Sequence, residues 1–268
     1  MSSATLASRI RLHTLKMIHS AKSSHIASCF SVTDILAVLY NDVMNYDSKN
    51  PTWEDRDRFI LSKGHAAAAV YAVLAEKGFI PIDYLSTYGK NGTKLQGHLS
   101  HSVPGVEIST GSLGHGLPIA CGMALAAKND KKNYRIYVVL SDGECDEGSI
   151  WEAAMFAGHH QLYNLTVIID NNKFQACGRT KDILDLEPFA QKWQSFNWNV
   201  SECDGHHHQT IKDCIYKTRD SKKLPSVIIA HTIKGKGVSF MEDKLLWHYR
   251  SPDEVVFAEA VKELEGAI

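Results

Sequence analysis

Two short runs, SDGECDEG (Ser141 to Gly148) and DNNKFQ (Asp170 to Gln175), constrain this chain more than anything else in it. Each follows an apolar, β-branched stretch: RIYVVL from Arg135 to Leu140, and LTVII from Leu165 to Ile169. Such stretches read as strands buried on both faces, the kind found in parallel sheets. Between them SIWEAAMFAGHHQ, from Ser149 to Gln161, is Ala-rich and long enough for a helix. Strand, helix, strand is a βαβ unit with a right-handed crossover. Both polar loops then stand at the carboxyl ends of parallel strands, the edge where open α/β sheets take their ligands.

The residue types in those loops suit a hard cation. Mg²⁺ prefers an octahedron of oxygens and commonly keeps phosphates and water among them. Asp142 offers a carboxylate, Asn172 an amide oxygen and Phe174 a main-chain carbonyl. Ca²⁺ or Mn²⁺ would accept the same donors. Alone, Asp142-Gly143 or Asn171-Asn172 is ordinary loop punctuation. Each following a buried strand, the two point to one metal site built from two loops. A metal held this way suits a diphosphate, and a diphosphate suggests a cofactor.

The remaining elements extend the same pattern. Helices are predicted over Thr5–Ala21, Thr33–Tyr40, Ala66–Lys77, Leu117–Lys128, Gln209–Asp220 and Asp253–Leu264, and further strands over Arg58–Leu61, Asn199–Cys203 and Ser226–His231. Alternating strands and helices imply an α/β fold, a mostly parallel sheet with helices on both faces. The 268 residues suffice for one large domain, taken as 1–268. The glycines at 111, 114 and 116 lack GxGxxG spacing after a nucleotide-binding strand, and no GxxxxGK[ST] occurs, which disfavours a Rossmann dehydrogenase and a P-loop NTPase. A net charge of −1 without a basic stripe argues against nucleic acid. No apolar run is expected to span a membrane, and the N-terminus lacks the apolar core of a secretory signal. A cytoplasmic enzyme is expected. The six cysteines form no CxxC pair and are expected to be free thiols; Cys145 beside the metal loop is a candidate functional thiol.

Fourteen histidines are many. Most suit the surface or a satisfied core, and the consecutive His206, His207 and His208 are expected to lead from a strand into a helix. His25, His65, His98 and His248 stand in Gly- or Ser-rich loops, from which a side chain can reach a ligand, although loop histidines also serve as caps and turn donors.

Together the two runs resemble the thiamine diphosphate signature, GDG followed by NN, with Ser141 replacing the first Gly. SSHIAS (Ser23 to Ser28), LSKGHA (Leu61 to Ala66), LQGH (Leu95 to His98), STGSLGHG (Ser109 to Gly116), GRT (Gly178 to Thr180), DGH (Asp204 to His206), TIKGKGVSFME (Thr232 to Glu242) and WH (Trp247, His248) follow in the order of the transketolase family. Nearly the whole chain is similar to that family's N-terminal, diphosphate-binding half. The resemblance implies the thiamin diphosphate-binding fold, and thiamine diphosphate and Mg²⁺ as cofactors. It implies ketol transfer from a ketose to an aldose, with His25 and His98 facing the sugar hydroxyls. The position of His65 implies a place near the diphosphate and the reacting carbon, and that of His248 a reach to the diphosphate and donor sugar. Gly111, Leu113 and Gly114 match a backbone loop against the aminopyrimidine. Glu147 matches a glutamate pointing to a dimer interface; it also suits the N-terminus of the Ser149 helix as a dipole-favoured acid.

In this family a glutamate of a second, pyrimidine-binding domain activates the cofactor. The stretch after His248 suits one helix and little else, so that glutamate is expected from a separate C-terminal subunit, in an α2β2 assembly. His115, Leu99-Ser100 and Tyr249 depart from residues common in the family and surround the substrate funnel, which makes a sulfonated or branched ketose a candidate substrate. Competing readings are a 1-deoxyxylulose 5-phosphate synthase-like carboligase, disfavoured by TIKGKG, KGHA and QGH together, and a non-catalytic thiamine diphosphate-binding module, disfavoured by the intact loop residues.

Overall fold

The computed structural model describes residues 1–266; the last two residues of the expected domain lie outside it. Five strands form one sheet: β1 (Arg58–Leu61), β2 (Ile136–Ser141), β3 (Leu165–Asn171), β4 (Asn199–Asp204) and β5 (Ser226–His231), in the order β1-β2-β3-β5-β4. Every pairing is parallel. Ser141 stands opposite Asp170, and Asn171 opposite His231, so the loops leaving β2, β3 and β5 start level with one another.

β2, β3 and β5 are buried on both faces, while the edge strand β4 is largely open, and alternate residues feed two cores. Tyr137, Val139, Ile168 and Ile228 face one core, shared with α1 (Ser3–Ala21), α2 (Ile26–Val38), α3 (Ala67–Glu76), α8 (His208–Asp220) and α9 (Glu254–Glu265). Val138, Leu140, Val167 and Ile169 face the other, shared with α4 (Gly116–Asn129), α5 (Gly148–His159) and α7 (Phe189–Ser195). The period of two along each strand assigns its side chains to opposite faces.

The expected helices and strands are present, with one substantial shift. α2 starts at Ile26 rather than Thr33, and all thirteen of its residues are buried. A helix apolar on every side carries no 3.6-residue stripe, so periodicity fails there. α6 (Thr180–Ile183) and α7 were not expected; both follow the Asn172 loop. The expectation about membrane-length runs is also corrected. Ile26–Val43 is long and apolar enough by length and composition, but 89% of it is buried inside the protein, as befits a core helix.

The histidine triplet at the carboxyl end of β4 has a structural task. His207 accepts the Thr210 N–H at 3.2 Å and caps α8. His206 Nδ1 and His208 Nε2 lie 2.7 and 3.0 Å from the Asp34 carboxylate, which Arg11 also holds at 2.6 Å. Burial works against that charge, but Arg11 and the two imidazoles outweigh it and keep the carboxyl well below its usual range. The cluster ties α1 and α2 to the loop after β4.

Candidate functional site

Four chain segments meet at the carboxyl edge of the sheet, each bringing one of the expected histidines. His65 lies in the turn Gly64–Ala66 just after β1, and His248 in the turn Leu245–His248. His25 precedes α2, and His98 belongs to the long loop before α4. The ring centroids of His25 and His65 are 5.1 Å apart, those of His25 and His248 5.1 Å, and those of His25 and His98 6.3 Å. His25 holds a left-handed backbone, φ 73° and ψ 18°, and donates its N–H to the His248 carbonyl at 2.8 Å. A side chain larger than glycine adopts that conformation at a cost, and such strain concentrates at functional sites.

The rings of His25, His65 and His248 are held neutral. Burial, then His98, Lys234 and Lys63, lower His25 to about 4; burial, then Lys234 and His25, lower His248 to about 3. Burial beside Lys63 takes His65 well below its ordinary value. Lys234 Nζ lies 2.8 Å from His248 Nδ1. An ammonium only donates, so Nδ1 accepts and the ring proton sits on Nε2.

Beneath the imidazoles lie buried charges that sequence reading did not single out. Lys63 and Asp170 are fully buried and paired at 2.5 Å. Ser31 donates to the same carboxylate at 2.6 Å, and Thr232 donates to its other oxygen. Burial pushes the Asp170 carboxyl up, and Lys63 with these hydroxyls more than reverses it. Lys234 is 1% exposed, and among the described residues no carboxylate pairs with it. Burial and Lys63 lower it to about 8. An unpaired buried ammonium is costly, and a bound polyanion such as a diphosphate would supply its counter-charge.

Asp142 is the other unfinished group. Its Oδ2 accepts from the Lys173 N–H at 2.7 Å and the Thr180 hydroxyl at 2.9 Å. Its Oδ1 is buried with no partner. Burial, then Asp170, raise this carboxyl to about 6. A cation at Oδ1 would satisfy the oxygen and favour its charge. Asn172 is buried in the adjacent loop, with its Oδ1 accepting the Phe174 N–H at 3.1 Å. Among the described residues no three His, Cys, Asp or Glu converge as a metal cluster. A donor set of one carboxylate, one amide oxygen and one main-chain carbonyl would leave positions open for phosphate and water.

The surrounding loops are packed tightly. Gly114 has φ +82°, and a Cβ there would collide with the Ser149 hydroxyl; at Gly143 a Cβ would meet Gln175 Cγ at 2.6 Å. Gly111 differs: a Cβ would lie 3.7 Å from the His98 ring, an ordinary contact, so packing within this chain does not require glycine there. Leu113 is half-buried, and its carbonyl lies 3.0 Å from His115 Nδ1. Glu147 is exposed and precedes α5 with extended backbone and no side-chain cap. Besides Asp142, the buried acid of this loop is Glu144, which accepts from the Ser62 hydroxyl and the Gly114 N–H and joins three loops. Cys145 is fully buried with its thiol pushed well up by burial, the condition of a packing residue rather than a reactive one. A cavity of about 550 Å³ elsewhere, lined by Trp53, Asp57, Arg135 and Arg219, holds none of these groups.

Lys63, Asp170 and Lys234 all fall inside the quoted segments LSKGHA, DNNKFQ and TIKGKG. Their only sequence signal was membership in those segments, since nothing in composition separates a buried lysine from a surface one.

The family model described as "Transketolase, thiamine diphosphate binding domain" matches residues 2–251. The chain is 41% identical to one subunit of the apulose-4-phosphate transketolase of Phocaeicola vulgatus, covering 96% of this chain and 92% of that protein. It is 44% identical to a 6-deoxy-6-sulfo-D-fructose transketolase subunit of a Clostridium species, covering 96% and 94%. The crystal structure of the Campylobacter jejuni transketolase superposes with a TM-score of 0.93 at 31% identity, over 98% of this chain and 42% of that one. Thus the histidine-lined edge, with its unfinished carboxylate and ammonium, belongs to a recognised lineage: this chain is a member of the transketolase family and carries its thiamine diphosphate-binding domain.

Proposed function

We propose that this chain is the diphosphate-binding subunit of a two-subunit transketolase. With a separate C-terminal subunit it moves a two-carbon ketol unit from a ketose to an aldose. The observation that carries this reading is the convergence of four imidazoles on one strand edge above an unpaired buried ammonium and an orphaned buried carboxylate oxygen. The names of the relatives, subunits of transketolases for apulose-4-phosphate and for 6-deoxy-6-sulfo-D-fructose, support the divided architecture and a ketose of that kind.

In this reading Asp142, Asn172 and the Phe174 carbonyl hold Mg²⁺, with Ca²⁺ or Mn²⁺ as alternatives, and the metal holds the diphosphate of thiamine diphosphate. Lys234 and His248 donate to that diphosphate, while the loop of Gly111, Leu113 and Gly114 lies against the aminopyrimidine. When bound, the cofactor supplies the nucleophilic carbon and electron sink that ketose cleavage needs. His25 and His98 bind the sugar hydroxyls and hold or pass their protons, and the neutral ring of His65 lies near the diphosphate and the reacting carbon. The activating glutamate comes from the partner, Glu147 lies toward the interface between chains, and the assembly is an α2β2 heterotetramer in the cytoplasm.

The direct test mixes the purified chain with a matching C-terminal transketolase subunit, thiamine diphosphate and Mg²⁺. Ketol transfer is expected from the mixture and from neither chain by itself. Failure with every partner, donor and acceptor tried would contradict the reading. Within an active complex, His25→Asn is the informative substitution, because asparagine tolerates the left-handed backbone that His25 adopts. Turnover at saturating cofactor should fall about 10²–10⁴-fold, with cofactor affinity changing far less. The opposite pattern, lost affinity with normal turnover, contradicts the assigned role.

A further inference from the structure

We infer that Tyr249 is a specificity-determining residue of this site, a platform for the sugar carbons beyond those that react; this rests on the ketol-transfer reading above. Its ring centroid lies 4.7 Å from that of His248 and 6.0 Å from that of His25. His248 is 7% exposed and Tyr249 is 64% exposed. The phenol ring is therefore the solvent-facing neighbour of the imidazole cluster.

The fold makes no visible use of this side chain. Among the described residues its hydroxyl has no hydrogen-bond partner. Its backbone, φ −110° and ψ −27°, suits any residue. Its neighbours secure the turn instead. Trp247 is buried and donates its indole N–H to the Phe240 carbonyl at 3.2 Å, while Arg250 lies over the Trp247 ring and pairs with Asp253. A large aromatic ring exposed at a ligand-binding edge, whose ring contacts among the described residues are with the site's own imidazoles, is available to a ligand.

The chemistry of the ligand follows from the layout. The reacting carbons must lie among the imidazoles, so the rest of a polyhydroxylated chain extends outward over Tyr249. The ring face meets its C–H bonds, and the hydroxyl can donate to or accept from its alcohols. This contact distinguishes donors by what they carry beyond the reacting carbons. It is absent for a donor that has no such chain.

The test uses the assembled two-subunit complex with wild-type, Tyr249→Ala and Tyr249→Phe chains. Donors are hydroxypyruvate, whose ketol unit bears only a departing carboxylate, and the best sugar among a panel of linear, branched and sulfonated ketoses. Tyr249→Ala should lower kcat/KM for the sugar about tenfold more than for hydroxypyruvate, the scale on which one pocket contact discriminates. Tyr249→Phe should keep most of that selectivity. Equal losses for both donors, or none for either, overturn the inference, as does weakened association of the two subunits measured by sedimentation. A wild-type complex inactive on every donor instead overturns the ketol-transfer reading itself.

Discussion

Asp142→Asn should make the apo chain more stable and abolish its response to thiamine diphosphate with Mg²⁺. The wild-type carboxylate is 1% exposed, has one oxygen without a partner, and is raised to about 6 by burial and by Asp170. At neutral pH it is therefore ionised in a place that penalises charge. Asparagine keeps the oxygen that accepts from the Lys173 N–H and the Thr180 hydroxyl, and removes the charge. An unsatisfied buried polar group costs about 1–3 kcal/mol, more when charged, so a gain of about 1 kcal/mol is expected without ligand. With ligand the order reverses. At one hundred times its dissociation constant a ligand specific to the folded state adds about 2.7 kcal/mol. That increment should appear in the wild-type complex with its C-terminal subunit and vanish in the variant. Thermal unfolding of the chain alone, and of the complex with and without cofactor and metal, measures both halves. A destabilised apo variant, or one that still gains the full increment, would remove Asp142 from the metal site.

What sequence reading captured, and what it missed, separates along physical lines. β2, β3 and β5 were legible because short β-branched runs between polar loops have few other uses, and all five strands were found within a residue or two of their expected places. Strand ends then located the site, since parallel strands put all their following loops on one edge. The four histidines were legible from their Gly- and Ser-rich settings. Their meeting was not, because it depends on strand order and on how α2 enters the core. That entry escaped notice for the reason its burial makes plain: Ile26 to Val38 has no polar face to mark a period.

The charged residues failed differently. Glu147 drew attention by its position in a motif, whereas Glu144, three residues earlier, is the acid that the fold buries and bonds. Lys63 and Lys234 have the composition of surface lysines, yet both lie under the histidines. Their burial is set by tertiary partners, Asp170 for one and His248 for the other, which no local pattern encodes.

Asp170→Ala should be the most destabilising single change in the site, by about 3–5 kcal/mol, because it leaves the fully buried Lys63 ammonium uncompensated. It also orphans the Thr232 hydroxyl and leaves the Ser31 hydroxyl only the Ser28 carbonyl, at 3.1 Å, to donate to. Folded domains hold only about 5–15 kcal/mol in reserve, so the urea midpoint should fall by a large fraction. Removing both charges is predicted to be far milder. Lys63→Met with Asp170→Leu replaces an ion pair by apolar groups of similar length, an exchange that is often neutral. The double variant separates two reasons for keeping the pair. If it recovers stability but binds cofactor weakly in the complex, Lys63 and Asp170 are retained to set the charge beneath the diphosphate, beside a Lys234 that already lacks an ionic partner. If it recovers both, the pair serves only the fold, and the positive floor of the site reduces to Lys234. If it stays as unstable as Asp170→Ala, the loss lies in the hydroxyl network rather than in the buried charge.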